Sequence, residues 1–316
     1  MPSPPATWYL HDAAAGHRRQ AAALAQALHP DPREWTLRVA PPWSWVAPRR
    51  LPGAAAAFGG AFAAALDAPP ALAIGCGRRA ALATRLLRER GARAVQVLHP
   101  RIDTAHWDLV VAPEHDGLAG ANVLTLCGSL NPVDDAWLAA ARAAAPALAA
   151  LPSPRTAVLL GGPTPAVRFD ADAFTTLAAT LDQWLASDGG SLLVVGSRRT
   201  PPEFAALARA RWATTPGLRW FDATDGDNPY AAALAVADRI VVSPDSVNMV
   251  SEAAATTVPV YVAEPGRATG RVGAYLASML RRGRLRPLAP ASTAFDVVPL
   301  RETPRIAALV RERLGV

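Results

Sequence analysis

Lysine is missing altogether: every one of the 32 basic residues is arginine, set against 26 acidic residues for a net charge of +6. Chemistry that needs a lysine amine is therefore excluded, including the Tyr-x-x-x-Lys pair of short-chain epimerases, and no early GxxGxxG turn is present either. Cysteine is scarce. Cys76 and Cys127 stand alone, in no CxxC and near no spaced histidine pair, so both are expected to be buried reduced thiols, with no disulfide and no zinc site. No uncharged apolar run reaches the roughly eighteen residues of a membrane span. Met1–Pro5 has no basic region followed by an apolar stretch, so no secretory leader is expected and the chain is placed in the cytoplasm. Basic stripes interleaved with stacking aromatics are also lacking, which argues against a nucleic-acid partner.

What is present is ample apolar material, 51% of 316 residues, enough for more than one core. Short strand-like runs alternate with helical stretches, the pattern of parallel sheets covered by helices on both faces. In the first half the pattern predicts strands near 7–10, 36–39, 71–74, 94–98, 108–111 and 122–126. Helices are predicted over 16–28, 54–66, 78–90 and 133–148. Residues 144–154 end in Pro152-Ser153-Pro154 and read as a linker. The second half restarts with strands near 157–160, 191–195, 218–221, 239–242 and 258–262. Asp170 is expected to cap a helix that repeats Phe174, Leu177, Leu181 and Trp184 at helical spacing. The organisation expected is two doubly wound α/β domains, residues 1–150 and 151–300. A final helix in 301–316 would pack back on the first.

In open parallel sheets, ligands bind beyond the carboxyl ends of strands, often at helix N-termini. Four polar turns of the second half fall there. Gly161-Gly162 would let a backbone approach a ligand, or simply turn. Ser197-Arg198-Arg199-Thr200 could clamp a diphosphate with two guanidinium forks, or be a solvated basic turn. Asp225 to Asn228 could contact the nucleotide through Asn228, or be an ordinary turn, since Asp, Gly and Asn favour turns and caps for local reasons. The fourth, Ser243 to Glu252, is the most informative. A strand stops and a helix begins among small polar residues, so its amide end suits an anion beside Ser246, Asn248 and Met249. Ordinary capping by Asp245 or Ser246 is the plainer alternative. Glu252, two turns on, could accept from ribose hydroxyls.

The first half offers candidates for acid–base work. Asp12 to His17 joins a strand to a helix, and His17 there could serve as a neutral base, with Asp12 as its rival. Asp116 closes Glu114-His115-Asp116, again at a strand end, where it could join in acid–base chemistry or merely cap a turn. Arg78, at another strand-to-helix turn, could bind an anionic acceptor, while His99 and Arg101, at the end of the preceding strand, share the acid–base or turn alternatives of Glu114–Asp116. Trp43-Ser44-Trp45-Val46 with Arg49-Arg50 has the residue types of a membrane interface.

These motifs, in this order, resemble the bacterial relatives of the plant mitochondrial-fission protein of the elongated-mitochondria type. The resemblance rests on Asp12–Gly16, His99-Pro100-Arg101, the run from Asp108 to Asp116, Gly161-Gly162-Pro163, Ser197–Pro201, Asn228-Pro229-Tyr230 and Asp245–Ala253, and it spans nearly the whole chain. That family in turn resembles GT-B glycosyltransferases, in which two Rossmann-like domains face each other across a cleft. The resemblance implies a nucleotide diphosphate sugar as donor substrate, held on the C-terminal domain, with no separate cofactor and no metal. It implies Glu252 on the ribose, with Ser246, Asn248 and Met249 near the diphosphate, and Gly16-His17 beside the reacting sugar. Ala13, Ala14 and Ala15 depart from the usual glycine-rich loop, and Thr257-Val258-Pro259 replaces a small glycine turn. The function expected is transfer of a sugar to a glycolipid or oligosaccharide acceptor of the cell envelope, with peripheral contact at the inner membrane. The alternatives are a non-catalytic scaffold of the same fold and a nucleotide-sugar epimerase.

Overall fold

The computed structural model describes residues 7–291 and 294–316; the Met1–Pro5 stretch, on which the expectation of no leader rests, lies outside them. Two compact units result, Met1–Pro132 with Glu302–Val316, and Val133–Arg301. The first runs β1 (Thr7–His11), α1 (Ala15–Leu28), β2 (Arg33–Thr36), α2 (Trp43–Val46), α3 (Gly60–Ala65), β3 (Leu72–Cys76), α4 (Arg78–Glu89), β4 (Arg93–Val97), β5 (Leu109–Pro113) and β6 (Val123–Leu126). The second runs α5 (Asp135–Ala143), α6 (Pro146–Ala149), β7 (Arg155–Leu160), α7 (Ala171–Asp188), β8 (Ser191–Gly196), α8 (Pro202–Arg211) and β9 (Gly217–Trp220). It continues with α9 (Tyr230–Val236), β10 (Arg239–Val242), α10 (Val247–Ala254), β11 (Val260–Val262), α11 (Gly270–Arg281) and β12 (Arg286–Pro287). The last helix, α12 (Glu302–Leu314), returns to the first unit. No helix among the described residues is long and apolar enough to cross a membrane.

Each unit is one six-stranded sheet, ordered β2-β1-β3-β4-β5-β6 and β12-β11-β10-β7-β8-β9, with every neighbouring pair parallel. Successive side chains of a strand point to opposite faces, and β1 shows what this does. Tyr9 packs with Leu24 of α1 and with Ile306 and Val310 of α12, whereas Trp8 and Leu10 pack with Phe62 of α3 and Leu87 of α4. Both faces of the sheet are thereby covered.

In the second unit Asp170 caps α7 by accepting from the Ala173 amide at 3.1 Å. Phe174, Leu177, Leu181 and Trp184 are all buried, as their spacing predicts. Phe174 stacks on Phe204 of α8 with ring centroids 4.7 Å apart. Each such side chain contributes roughly 1.5–3 kcal/mol through burial.

Four features differ from the pattern reading. The helix expected over 54–66 is broken at Gly59, whose φ of +86° ends a short 3-10 turn and starts α3. The helix expected over 133–148 stops at Ala143 and restarts at Pro146, which cannot donate to a continuing ladder. The second strand lies at Arg33–Thr36 rather than 36–39, with Glu34 opposite Tyr9. Arg33 there covers the rings of Trp8 and Trp35, at 5.4 and 4.6 Å, so polar residues with specific partners occupy a strand that hydropathy alone would place later. Finally, α11 and β12 have no counterpart in the prediction. Gly270 and Gly273 obscure the helix, and β12 is only two residues long.

The division between the units falls after Pro132, not at 150. The reason is that α5 packs on α9, where Arg142 donates to the Ala235 carbonyl at 3.2 Å. The closing helix is tied to the first unit by polar bonds as well as by its apolar face. Glu302 accepts from the Cys127 amide at 3.0 Å, and the Thr303 hydroxyl accepts from Asn131 N and donates to Asn131 O.

Candidate functional site

In the second sheet the winding direction reverses between β7 and β10, and the two loops that leave these strands diverge there. β7 delivers Gly161 and Gly162, and β10 delivers Ser243 to Ser246. The buried carboxylate of Asp245 joins the two loops. Ser243 Oγ accepts from the Gly161 amide at 2.8 Å and donates to Asp245 Oδ1 at 2.6 Å. Arg199, from the loop after β8, donates to Asp245 Oδ2 at 2.7 Å. A Cβ built on Gly161 would meet both Asp245 oxygens at 2.0 Å, and one on Gly162 would meet the Arg199 carbonyl at 1.9 Å. Both glycines are therefore dictated by the protein's own groups, and the space expected for a ligand over these two Cα atoms is filled.

The arginines of the neighbouring loop separate in role. Arg199 is spent on Asp245, whereas Arg198 is exposed and meets no carboxylate among the described residues. The loop hydroxyls are engaged too. Ser197 Oγ accepts from Arg199 N at 3.2 Å, and Thr200 Oγ1 accepts from Ser197 N and donates to Leu160 O, each at 2.8 Å.

Helix α10 starts at this edge, with Ser246 as its N-cap accepting from the Met249 amide at 3.4 Å. Asn248 and Met249 are half-buried in its first turn. Behind it, the buried Arg284 donates to the carbonyls of Ala253 and Ala254 at the end of the helix and of Thr256 and Val258 just beyond it. Burial holds this guanidinium down to about 10, and it faces the negative end of the helix dipole. Glu252 is only 2% exposed and accepts from the Tyr230 hydroxyl at 2.5 Å. Asn228 Oδ1 in turn accepts from the Tyr230 amide at 2.9 Å and fixes the start of α9. Asn228, Tyr230 and Glu252 thus form one chain of contacts, and Glu252 is an interior residue rather than a surface one.

The first sheet reverses direction between β1 and β3. Asp12 and His17 are partners there, not rivals: His17 Nδ1 lies 2.7 Å from Asp12 Oδ1. The imidazole rests on the Cα of Gly77, where a Cβ would come within 2.6 Å of Nδ1 and where φ is +89°. Burial pushes the Asp12 carboxyl up, but the bond and charge of His17 and the Ala14 amide outweigh it and hold Asp12 below its usual value. An ionised Asp12 accepts a hydrogen bond from His17 Nδ1–H, which leaves the lone pair on Nε2, the tautomer a general base needs.

Asp116 is not part of this pair. It follows β5, three strand spacings from β1, or about 14 Å. Its nearby cation is Arg101, at 3.9 Å, whose amide is bound by His99 Nδ1 at 3.0 Å. Arg78 donates weakly to the Ser44 carbonyl at 3.5 Å. Cys76 is buried under the dyad loop, and burial, with the Asp12 charge, pushes its thiol well up; Cys127 is buried as well. Among the described residues no three His, Cys, Asp or Glu come together as a metal site.

Two features escape sequence reading. One is a network on the α1 face of β1. Glu34 accepts from Tyr9 Oη at 2.7 Å, from His11 Nε2 at 2.9 Å and from Arg18 Nε at 2.8 Å. His11 Nδ1 accepts from the Ala13 amide, which fixes Nε2 as the donor. The Arg18 bond, against burial and helped by Tyr9 and His11, lowers Glu34 to about 2. Beside it lies a cavity of about 290 Å³ lined by Tyr9, Arg18, Arg19, Gln26 and Pro132 among others. The other is backbone strain. Among the described residues four non-glycine residues have positive φ, Ala13, Leu98, Arg101 and Glu264, and each follows a strand at its carboxyl end. Such strain concentrates at functional sites, and no hydropathy pattern reveals it.

The family model Mitochondrial fission ELM1 matches residues 15–314. The mitochondrial fission protein ELM1 of Arabidopsis thaliana is 28% identical over 276 residues, covering 78% of this chain and 64% of that protein. The chain spans 64% and 65% of the length of the first two curated relatives it matches. Among solved structures, the UDP-GlcNAc 2-epimerase of Methanocaldococcus jannaschii superposes with a TM-score of 0.54 at 12% identity, covering 97% of this chain and 99% of that one. A UDP-glucosyltransferase of Polygonum tinctorium gives 0.54 at 14% identity, covering 99% and 90%. At these identities the likeness is one of fold, the GT-B arrangement of two parallel α/β sheets.

Proposed function

The chain belongs to the Mitochondrial fission ELM1 family, and on that premise we propose that it is a GT-B glycosyltransferase. It binds a nucleoside diphosphate sugar at the carboxyl edge of the second sheet and transfers the sugar to a cell-envelope glycolipid or oligosaccharide. The observation that carries this reading is α10. Its amino end opens at the reversal of the sheet, Arg198 stands exposed on the adjoining loop, and a buried carboxylate, Glu252, lies two turns along. The helix end and Arg198 take the charge of the departing diphosphate. Glu252 accepts from the ribose, with Tyr230 holding its other contact. In the first unit, His17 Nε2 is the base that takes the proton of the acceptor hydroxyl, and Asp12 stabilises the imidazolium that forms.

The epimerase and glycosyltransferase matches both carry UDP in their names, so UDP-sugars come first among donors to test. Thermal unfolding with UDP-, GDP- and ADP-sugars tests binding, and nucleotide release with an added acceptor tests transfer. Glu252→Ala should weaken nucleotide affinity about tenfold to hundredfold, the worth of hydrogen bonds to a charged group; unchanged affinity removes the ribose contact. The family's name favours a second reading, a binding scaffold of the same fold. A thermal shift with neither nucleotide release nor sugar product across lipid and oligosaccharide acceptors decides for it. Conversion of one sugar into another without acceptor decides for an epimerase.

A further inference from the structure

The segment 37–66 carries three arginines and no acidic residue. Within it, α2 is a single turn held firmly from below. Arg85 donates to the Pro48 carbonyl at 2.6 Å, Ala47 N to Trp43 O at 2.8 Å and Ser44 N to Ala40 O at 3.1 Å. Ala47 and Pro48 are buried, and Trp43 packs against the core cluster of Trp8, Leu10 and Phe62. Two residues later, across the turn, Trp45 points the other way and is 73% exposed, one of the four large apolar side chains left exposed among the described residues. The turn is thus fixed in place, and the indole it presents is held outward.

Arginine outnumbers acid around this indole. Arg49 and Arg50 follow it and are exposed. Arg78 reaches the turn through Ser44 O, and Arg85 lies beneath it. The acidic group these contacts bring closest is Glu89, already paired with Arg50 at 2.9 Å. An indole amid arginines matches an anionic bilayer surface: tryptophan prefers the layer between headgroup and acyl chain, and arginine the phosphates above it. A neutral apolar partner would offer no counter-charge to Arg49 and Arg78, which meet no carboxylate among the described residues.

We propose that Trp45, with Arg49, Arg50 and Arg78 around it, is the surface by which this protein docks peripherally on an anionic phospholipid bilayer. The proposal stands without sugar transfer and concerns residues outside the nucleotide edge. The full chain is to be sedimented with vesicles of phosphatidylcholine, alone and with phosphatidylglycerol mixed in. Binding is expected only to the mixed vesicles, and it should weaken as salt rises. Trp45→Ala should lower the partition on the order of tenfold, through lost apolar insertion. Arg49→Gln with Arg50→Gln should lower it about fivefold per arginine. Arg168→Gln, an exposed arginine of the other unit, should leave it unchanged. The proposal is overturned by absent binding at low salt, by equal binding to neutral vesicles, or by Arg168→Gln costing as much as the Trp45 and Arg49/Arg50 changes. All three sites are exposed, so unfolding midpoints measured in parallel are expected to match.

Discussion

At the edge of the first sheet Asp12 meets His17 with 19% and 29% of their side chains exposed; at the edge of the second Asp245 meets Arg199 with 0% and 48%. Both are an aspartate bonded at 2.7 Å to a basic group, at the reversal of a doubly wound sheet. The first pair stays open to water. The second is sealed against Gly161 and holds three loops together. An acid at a strand's carboxyl end is therefore no mark of catalysis by itself. What separates the two is whether water reaches the carboxylate, which the fold closes off in the second pair and leaves open in the first.

The largest expected effect tests the open pair. Asp12→Asn should lower the rate of sugar transfer about a hundredfold or more, by loosening the tautomer of His17, with the unfolding midpoint little changed. A drop in stability with normal turnover per folded molecule would make the two pairs alike. Next, Arg199→Met should cost about 3 kcal/mol in urea unfolding, because it leaves the Asp245 charge buried with only Ser243. Arg198→Met should stay within about 0.5 kcal/mol of the parent, as surface changes do, yet weaken nucleotide binding. If both arginines behave alike in both measurements, the division of roles between them is wrong.

The smallest effect sharpens the comparison from behind β1. Glu34 is held at about 2 against an ordinary 4.5. Above about 4.5 it is ionised in both folded and unfolded chains and its contacts count fully. As the pH falls towards about 2 the unfolded chain takes up its proton first, and that stability is lost. Glu34→Gln should therefore lower stability at neutral pH and flatten the acid limb of the unfolding curve, as followed by circular dichroism across that range.

Much of this architecture was legible because strand and helix leave periodic apolar traces. The Phe174–Trp184 stripe and the Asp170 cap lie where spacing puts them, and so does α10. Elements that depend on one polar partner were not legible. β2 is placed by Arg33 over two tryptophans and by Glu34 beside Tyr9, contacts that require the folded sheet before they exist. For the site, the sequence supplied Asp12 and His17 as separate candidates. Their pairing, and the distance of Asp116 from them, follow from strand order, which no local window contains. The glycines after β7 were legible as needing close approach, but what approaches is Asp245 and the Arg199 carbonyl.

One consequence follows from the return of α12. Ile306, Ala307 and Val310 are fully buried in the first unit's core, beside Leu24 and Leu28 of α1. A ribosome making this chain emits residues 7–126 with all six strands of that sheet, yet the seam for the last helix stays bare and greasy until some 180 further residues have been added, while the intervening unit is complete in itself. The later-made half is free to fold before the earlier one is sealed. In the cell, the exposed seam is the stretch on which a nascent chain would most need a chaperone.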